Sequence, residues 1–376
     1  MTSPSTYTDL NPSTRLLLGP GPSMVHPRVL RAMATPLLGH LDPEFITIMN
    51  EIQAMLRMAF QASDDTLTIP VSGTGSAAME AAICNFVEEG DPVLICVNGY
   101  FGGRMVDMAT RYGADVERID AEWGDIFSAK QIDEALQKRA AKVVMIVHAE
   151  TSTGALQPLA EISEVVHRHG ALLLADTVTS LGGIPVEMEK TGIDIAYSGT
   201  QKCLSAPPGL GPLAVAPRAL EAFKKRQSTV PNWYLDLSMV LKYWGPERTY
   251  HHTAPITMNY ALREALRLVD EEGLENRFTR HRENAQYLWD GLADLDLTPH
   301  VPIDHRLPSL TTVRIAEGMD DAGTRRRLLD EFNIEIAGGL GAGKGKLWRI
   351  GLMGYSSRKE NVLTLLGALD RILSAN

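Results

Sequence analysis

From about residue 66 onward, short apolar runs alternate with amphipathic stretches along the chain. Leu67–Val71, Pro92–Val97, Lys142–His148, Ala171–Ala175, Ile193–Tyr197 and Leu213–Ala216 are nearly continuous in apolar character. Between them lie helical patterns: an Ala-rich stretch from Ser76 to Val87, one around Arg104–Tyr112, and one over Leu159–His169. Strands with no polar face, separated by helices, predict a mostly parallel sheet covered on both sides. After Thr253-Ala-Pro255 the texture changes. Asn259–Leu295 is a charged, helix-rich region interrupted near Gly273. Beyond it, Leu310–Ile315, Ile334–Ala337 and Trp348–Leu352 predict a second, smaller set of strands, with helices over Asp320–Phe332 and Lys359–Ala375.

This pattern gives an α/β protein with two domains. A large domain is expected over residues 23–280 and a small C-terminal α+β domain over 281–376, the boundary falling somewhere between 275 and 295. Residues 1–22 are expected to form an arm. Its Gly-Pro-Gly-Pro run at 19–22 cannot be regular structure and is expected along a domain or subunit seam.

Composition narrows the function classes. The 376 residues are 44% hydrophobic and 22% charged, as in an ordinary globular protein, and the net charge of -10 with no basic run argues against nucleic-acid or membrane binding. No apolar run approaches the ~20 residues of a membrane span. The three cysteines, Cys84, Cys96 and Cys203, have no metal-ligand spacing and are too few for a disulfide framework. The first residues lack the basic-then-apolar pattern of a signal peptide, and the last three are not a peroxisomal tripeptide. The expected location is the cytoplasm.

Ligands of an open parallel sheet sit at the carboxyl ends of its strands, and the chemistry-bearing residues cluster in the loops expected there. Lys202 follows the strand Ile193–Tyr197 in a turn of Ser198, Gly199 and Thr200, enclosed by Ala206-Pro-Pro-Gly209 and the apolar stretch after it. Desolvation disfavours an ammonium, and the resulting free amine can attack a carbonyl, which is the chemistry of a Schiff-base lysine. Ser72-Gly-Thr-Gly-Ser76 joins a strand to a helix. It is either a phosphate cradle of free amides or a tight turn. Asp176 ends another strand and could pair with a protonated ring nitrogen or cap a helix. Gly99-Tyr-Phe-Gly102 offers an aromatic for ring stacking or for the core, and His148-Ala-Glu-Thr-Ser-Thr-Gly154 offers hydroxyls.

Taken with Leu18-Gly-Pro-Gly-Pro-Ser23, Gly39-His40, Val71-Ser-Gly-Thr-Gly75, Thr151-Ser-Thr-Gly154, Asp176-Thr-Val-Thr-Ser-Leu-Gly-Gly183, Tyr197-Ser-Gly-Thr-Gln-Lys202, Tyr250-His-His-Thr253 and Arg349-Ile-Gly-Leu-Met-Gly354, the chain resembles the class V aminotransferases. These are fold-type I pyridoxal-phosphate enzymes, and the similarity is greatest to the alanine/serine:glyoxylate aminotransferases. The resemblance implies a seven-stranded-type sheet domain and pyridoxal 5′-phosphate as cofactor. It implies that Lys202 holds the cofactor and shuttles a proton, and that Asp176 keeps the pyridine nitrogen protonated. Val178 would pack under the ring and Phe101 over it, where relatives often have tryptophan. Thr74, Gly75, Ser76 and Gln201 would hold the phosphate, with Thr151 near the ring hydroxyl. Arg349 would grip the substrate carboxylate, with Gly21 beside the substrate. Tyr250 and Thr253 would reach the phosphate of a neighbouring subunit, making a homodimer with shared sites and the 1–22 arm at its interface.

The expected reaction is transamination between a small amino acid, alanine or serine, and glyoxylate. Another small 2-oxo acid aminotransferase, a pyridoxamine:pyruvate type enzyme and a non-catalytic cofactor-binding protein remain as alternatives. His251 and His252 are not expected to bind a metal, since neighbours on an extended segment point opposite ways. Gly338-Gly-Leu-Gly-Ala-Gly-Lys344 mimics a nucleotide-binding loop, but Gly345 stands where Ser or Thr is required. It is expected to be a flexible loop near the substrate entrance.

Overall fold

A computed structural model describes Tyr7 and residues 9–374; residues 1–6 and 8 of the expected arm and Ala375 of the last expected helix lie outside the described residues. The apolar runs form strands β1 (Leu67–Ser72), β2 (Pro92–Val97), β4 (Val143–Val147), β5 (Leu172–Asp176), β6 (Ile195–Tyr197) and β7 (Leu210–Val215), joined by β3 (Asp115–Asp120). They make one seven-stranded sheet in the order β1-β7-β6-β5-β4-β2-β3. Strand β7 runs antiparallel to both its neighbours and the other pairs are parallel. Alternate residues enter two different cores. Val93, Ile95, Val143, Met145, Leu172 and Leu174 face one, while Leu94, Cys96, Val144, Ile146, Leu173 and Ala175 face the other. Double-sided burial is the reason the runs carry no polar alternation.

Strand β3 was not legible as a strand. Its sequence, Asp-Val-Glu-Arg-Ile-Asp, belongs to a sheet edge that is half exposed, where charges are tolerated and discourage pairing with other chains. Helix α1 (Pro43–Phe60) precedes the region from which the alternation was read. Its signals are local: Asp42 accepts a bond from Glu44 N at 2.8 Å, Pro43 occupies the first turn, and Phe45, Met49, Ile52, Leu56 and Ala59 form one buried stripe. Helices α2 (Gly75–Phe86) and α3 (Tyr100–Arg111) begin directly after the ends of β1 and β2, so their first turns face the carboxyl edge of the sheet.

Helices α4 (Ile256–Glu272) and α5 (Leu274–Asp294) meet at Gly273, whose φ of 78° lets the chain turn between them. Beyond α5, β8 (Leu310–Arg314), β9 (Ala337–Gly338) and β10 (Leu347–Gly351) form an antiparallel sheet in the order β8-β10-β9. Helices α6 (Asp321–Phe332) and α7 (Lys359–Leu373) complete a separate core with Leu288, Val313, Leu328, Trp348 and Leu365. The expected strand at 334–337 is divided. Ile334 and Glu335 pair instead with Leu16 and Leu17, in parallel, and Leu18 enters this core. The segment before the Gly-Pro-Gly-Pro run is thereby pinned to the C-terminal unit.

Helix α5 connects the cores. Its first turns touch the lysine loop through Arg277, which donates to Gly182 O at 2.7 Å and Cys203 O at 2.6 Å, and pairs with Glu272 at 2.6 Å. Its later turns bury Leu288 and Leu292 in the C-terminal core. Arg277→Leu would leave two buried carbonyls without donors. It is expected to lower the unfolding free energy by about 3 kcal/mol in denaturant titration.

Candidate active site

The carboxyl ends of β1, β2, β4, β5 and β6 and the loops that follow them surround a cavity of about 100 Å³. Its walls carry Thr74, Gly75, Ser76, Phe101, Thr151, Asp176, Val178, Gln201 and Lys202, all expected from the sequence, together with Arg104, which was not.

Asp176 is the last residue of β5 and is fully removed from water. Its Oδ1 accepts from Val178 N at 2.8 Å and its Oδ2 from the Tyr197 hydroxyl at 2.8 Å. Tyr197 is the register partner of Asp176 on β6 and is itself buried. Burial pushes the Asp176 carboxyl up to about 7, against the opposing pull of these two donors. Among the described residues no cation forms an ion pair with it. Lys202, one turn past the end of β6, has its amine pulled down to about 8, first by burial, with Arg349 and Arg104 adding repulsion. Its Nζ donates to Pro20 O. The N-terminal segment can pass this close because residue 21 is glycine: its φ is 112°, and a Cβ there would lie 2.6 Å from Lys202 Nζ.

The anion end is built by the start of α2. Thr74 sits at the cap position but makes no side-chain capping bond, and first-turn amides have no intrahelical acceptor. Gly75 is buried beside Val178, whose Cγ2 a Cβ there would meet at 3.4 Å, an ordinary contact. The buried Gln201 Oε1 has no hydrogen-bond partner. Turning that amide over would present its NH2 group to an anion instead.

Phe101 is placed by a residue the sequence reading passed over. Glu150, completely buried, accepts from Ser152 N at 2.9 Å, Ser152 Oγ at 2.7 Å and Phe101 N at 3.1 Å. It thus satisfies an amide at the start of α3, whose own cap position is Gly99 and has no side chain to do so. A Cβ at Gly99 would collide with Glu150. His148, also buried, bonds Ser180 Oγ at 3.0 Å, and its amide donates to Asp176 O at 2.9 Å. Glu150 and Tyr197 lay in quoted motifs. Their signal was a polar group at a strand terminus, but cross-strand register identifies what Tyr197 touches, and the approach of the β4 loop to the start of α3 what Glu150 touches.

Arg349, on β10, lies at the edge of the site. Its Nε donates to Gly338 O at 2.9 Å, and its terminal nitrogens have no partner among the described residues. The glycine-rich run thus helps to orient an arginine. Gly341 packs against Trp123, and no helix follows the loop as a nucleotide-binding loop requires. Tyr250 and Thr253 do not enter this cavity. They lie on an exposed segment, 3.4 Å from each other through their hydroxyls, close to an aromatic group in which Tyr234 stacks on His252.

A sheet of this order, with a lysine and a carboxylate at adjoining strand ends, is the arrangement that the resemblance to fold-type I enzymes implied. The family model for class V aminotransferases matches residues 16–363, and the chain belongs to that family. It is 41% identical to the (S)-ureidoglycine–glyoxylate transaminase of Bacillus subtilis, covering 96% of this chain and 90% of that one. It is also 41% identical to the alanine–glyoxylate aminotransferase of Rattus norvegicus, over 96% and 87% of the two chains. The crystal structure of an alanine–glyoxylate aminotransferase from Nostoc sp. superposes with a TM-score of 0.96, at 53% identity over 98% of both chains. Among the described residues, no helix is long and apolar enough to cross a membrane.

Pyridoxal 5′-phosphate is the cofactor of these aminotransferases, and the cavity fits it. A buried carboxylate with a raised pKa suits a protonated ring nitrogen. The unpartnered Gln201 amide and the open start of α2 suit a phosphate, and a desolvated amine suits an aldehyde.

The Asp176 pKa has a consequence for stability. A carboxyl raised from 3.8 to about 7 binds its proton more tightly in the folded state. Its destabilising contribution is absent below about pH 4, grows as pH rises, and is complete above about pH 7. Asp176→Asn is expected to gain stability relative to the parent apoprotein between pH 4 and pH 8, on the order of a few kcal/mol in denaturant unfolding. A pH-independent difference would contradict the assignment.

Proposed function

We propose that this chain transfers the amino group of a small amino acid, alanine first and serine next, to glyoxylate, yielding glycine and pyruvate or hydroxypyruvate. The observation that carries this reading is the combination of Lys202 with Arg349. The guanidinium is held through Nε by Gly338 O, so its two terminal nitrogens are left to take a carboxylate in bidentate fashion. Its charge is felt at the lysine amine. Glyoxylate is favoured as acceptor because two relatives with different donors in their names share it.

When bound, pyridoxal phosphate supplies an aldehyde that takes the amino group and a protonated ring that draws electron density from Cα. The chain's residues do the rest. Asp176, kept in place by Tyr197 and Val178 N, holds the proton on the ring nitrogen. Phe101 and Val178 confine the ring, and Thr151 lies in the same wall. Arg349 fixes the carboxylate, which orients the Cα–H bond. Lys202 Nζ, with its lowered pKa, would hold the cofactor and would supply the general base and acid for the Cα proton near neutral pH. Gly21 keeps the N-terminal segment against this amine and limits water around it. Tyr250 and Thr253, outside their own chain's cavity, would serve the phosphate of a second copy in a homodimer.

Lys202→Ala is expected to abolish turnover while leaving far-ultraviolet circular dichroism unchanged. Borohydride reduction of the parent protein followed by peptide mapping should place the cofactor on Lys202. Label on another residue would refute the assignment.

Coupled assays of alanine, serine and ureidoglycine against glyoxylate and pyruvate decide the donor. Alanine with glyoxylate is expected to give the largest kcat/KM. A large preference for ureidoglycine would move the chain toward the function that its Bacillus relative is named for.

A further inference from the structure

Arg104 lines the cofactor cavity and has no part in the chemistry above. It lies in α3, and its Nη1 donates to Ser76 Oγ at 2.9 Å. The guanidinium carbon stands 4.8 Å over the Phe101 ring. Among the described residues it forms no ion pair, although Asp107 and Asp120 line the depression on its other side. The half-buried guanidinium has a serine hydroxyl and the Tyr100 and Phe101 rings as neighbours in place of a carboxylate.

The charge balance of the phosphate end supplies a reason. A phosphate monoester carries about −1.5 to −2 charges near pH 7. A helix start contributes a partial charge of only about +0.5, and Thr74, Ser76 and Gln201 are neutral. Lys202 and Arg104 are the two cations among the cavity's lining residues, and Lys202 is committed to the aldehyde. Ser76 couples Arg104 to the anion. Because an arginine N–H already fills an acceptor site on Ser76 Oγ, the serine O–H is free to donate outward, and the donated bond polarises it.

We propose that Arg104 supplies the positive charge of the phosphate subsite, acting through the Ser76 hydroxyl, and so makes the site select a phosphorylated over an unphosphorylated cofactor. Arg104 is a positioning residue in this scheme, and its role depends on the cofactor rather than on the choice of amino donor. The position over Phe101 offers a competing role, support of the stacking ring through a cation–π contact. The two roles predict different ligand dependence.

The test is binding, not turnover. Full-length apoprotein is titrated with pyridoxal 5′-phosphate and separately with pyridoxal, followed by absorbance, for the parent, Arg104→Gln, Arg104→Lys and Ser76→Ala. Arg104→Gln should weaken binding of the phosphorylated compound by about ten- to a hundredfold and leave pyridoxal nearly unchanged. Arg104→Lys should recover part of the difference. Adding Arg104→Gln to Ser76→Ala should cost less than the sum of the two. Inorganic phosphate should compete with pyridoxal phosphate in the parent and lose that ability in Arg104→Gln. Should Arg104→Gln not fold, the Arg104→Lys selectivity and phosphate competition carry the same comparison. Equal loss for both ligands, or none for either, overturns the proposal. If the parent binds neither compound, the cofactor assignment fails first and the proposal with it.

Discussion

At the end of strand β5 the carboxylate of Asp176 is withdrawn from water while receiving bonds from only two neutral donors, Tyr197 and Val178 N. Burying an ionised carboxylate without a cation is costly, and the protein answers with a raised pKa instead of a permanent partner. Lys202 is the complement, an amine held near neutrality by the same burial. Both perturbations come first from burial at the end of the doubly covered sheet, and both suit the proposed chemistry, in which one group would hold a proton on the ring and the other would pass a proton.

The loops around these two groups are tied to one another by buried polar side chains. Glu150, after β4, satisfies the start of α3 after β2 and so sets where Phe101 lies. Arg104, one turn further along α3, reaches across to Ser76 at the start of α2. The ring end and the phosphate end of the cavity are thus connected through a single helix. The amide of His148 joins the β4 loop to Asp176 itself. Such cross-ties order several loops at once, which a packed apolar wall would do less specifically.

A second level of organisation links the site to the C-terminal core. Arg277 fastens α5 to the carbonyls of Gly182, in the loop after Asp176, and of Cys203, next to Lys202, while the far half of the same helix is part of the other core. Arg349 comes from that other core on β10, oriented by the carbonyl of Gly338, the last residue of β9. The residue proposed for the substrate carboxylate and those proposed for the cofactor thus belong to different packing units, and movement of one against the other would change the distance between them.

Much of this was readable in the chain. Double-sided apolar runs such as Val143–Val147 and Leu172–Asp176 announce a covered parallel sheet because burial on both faces removes polar alternation. Residues that follow such runs directly, including Asp176, Lys202 and the Ser72–Ser76 turn, are placed at the carboxyl edge by the same rule. What was hidden depends on register and approach between distant segments. The polar edge strand Asp115–Asp120 gains its strand character from pairing with β2, not from its own residues. Tyr197 meets Asp176 because β6 lies beside β5 in one register, Arg104 meets Ser76 across two helices, and Leu16 and Leu17 take Ile334 and Glu335 as partners. Local pattern determines which segments become strands and which loops carry chemistry, because periodicity and burial act on neighbouring residues. Which side chains then share a proton, a charge or a hydrogen bond was decided only by the tertiary structure, since those distances arise between residues far apart along the chain.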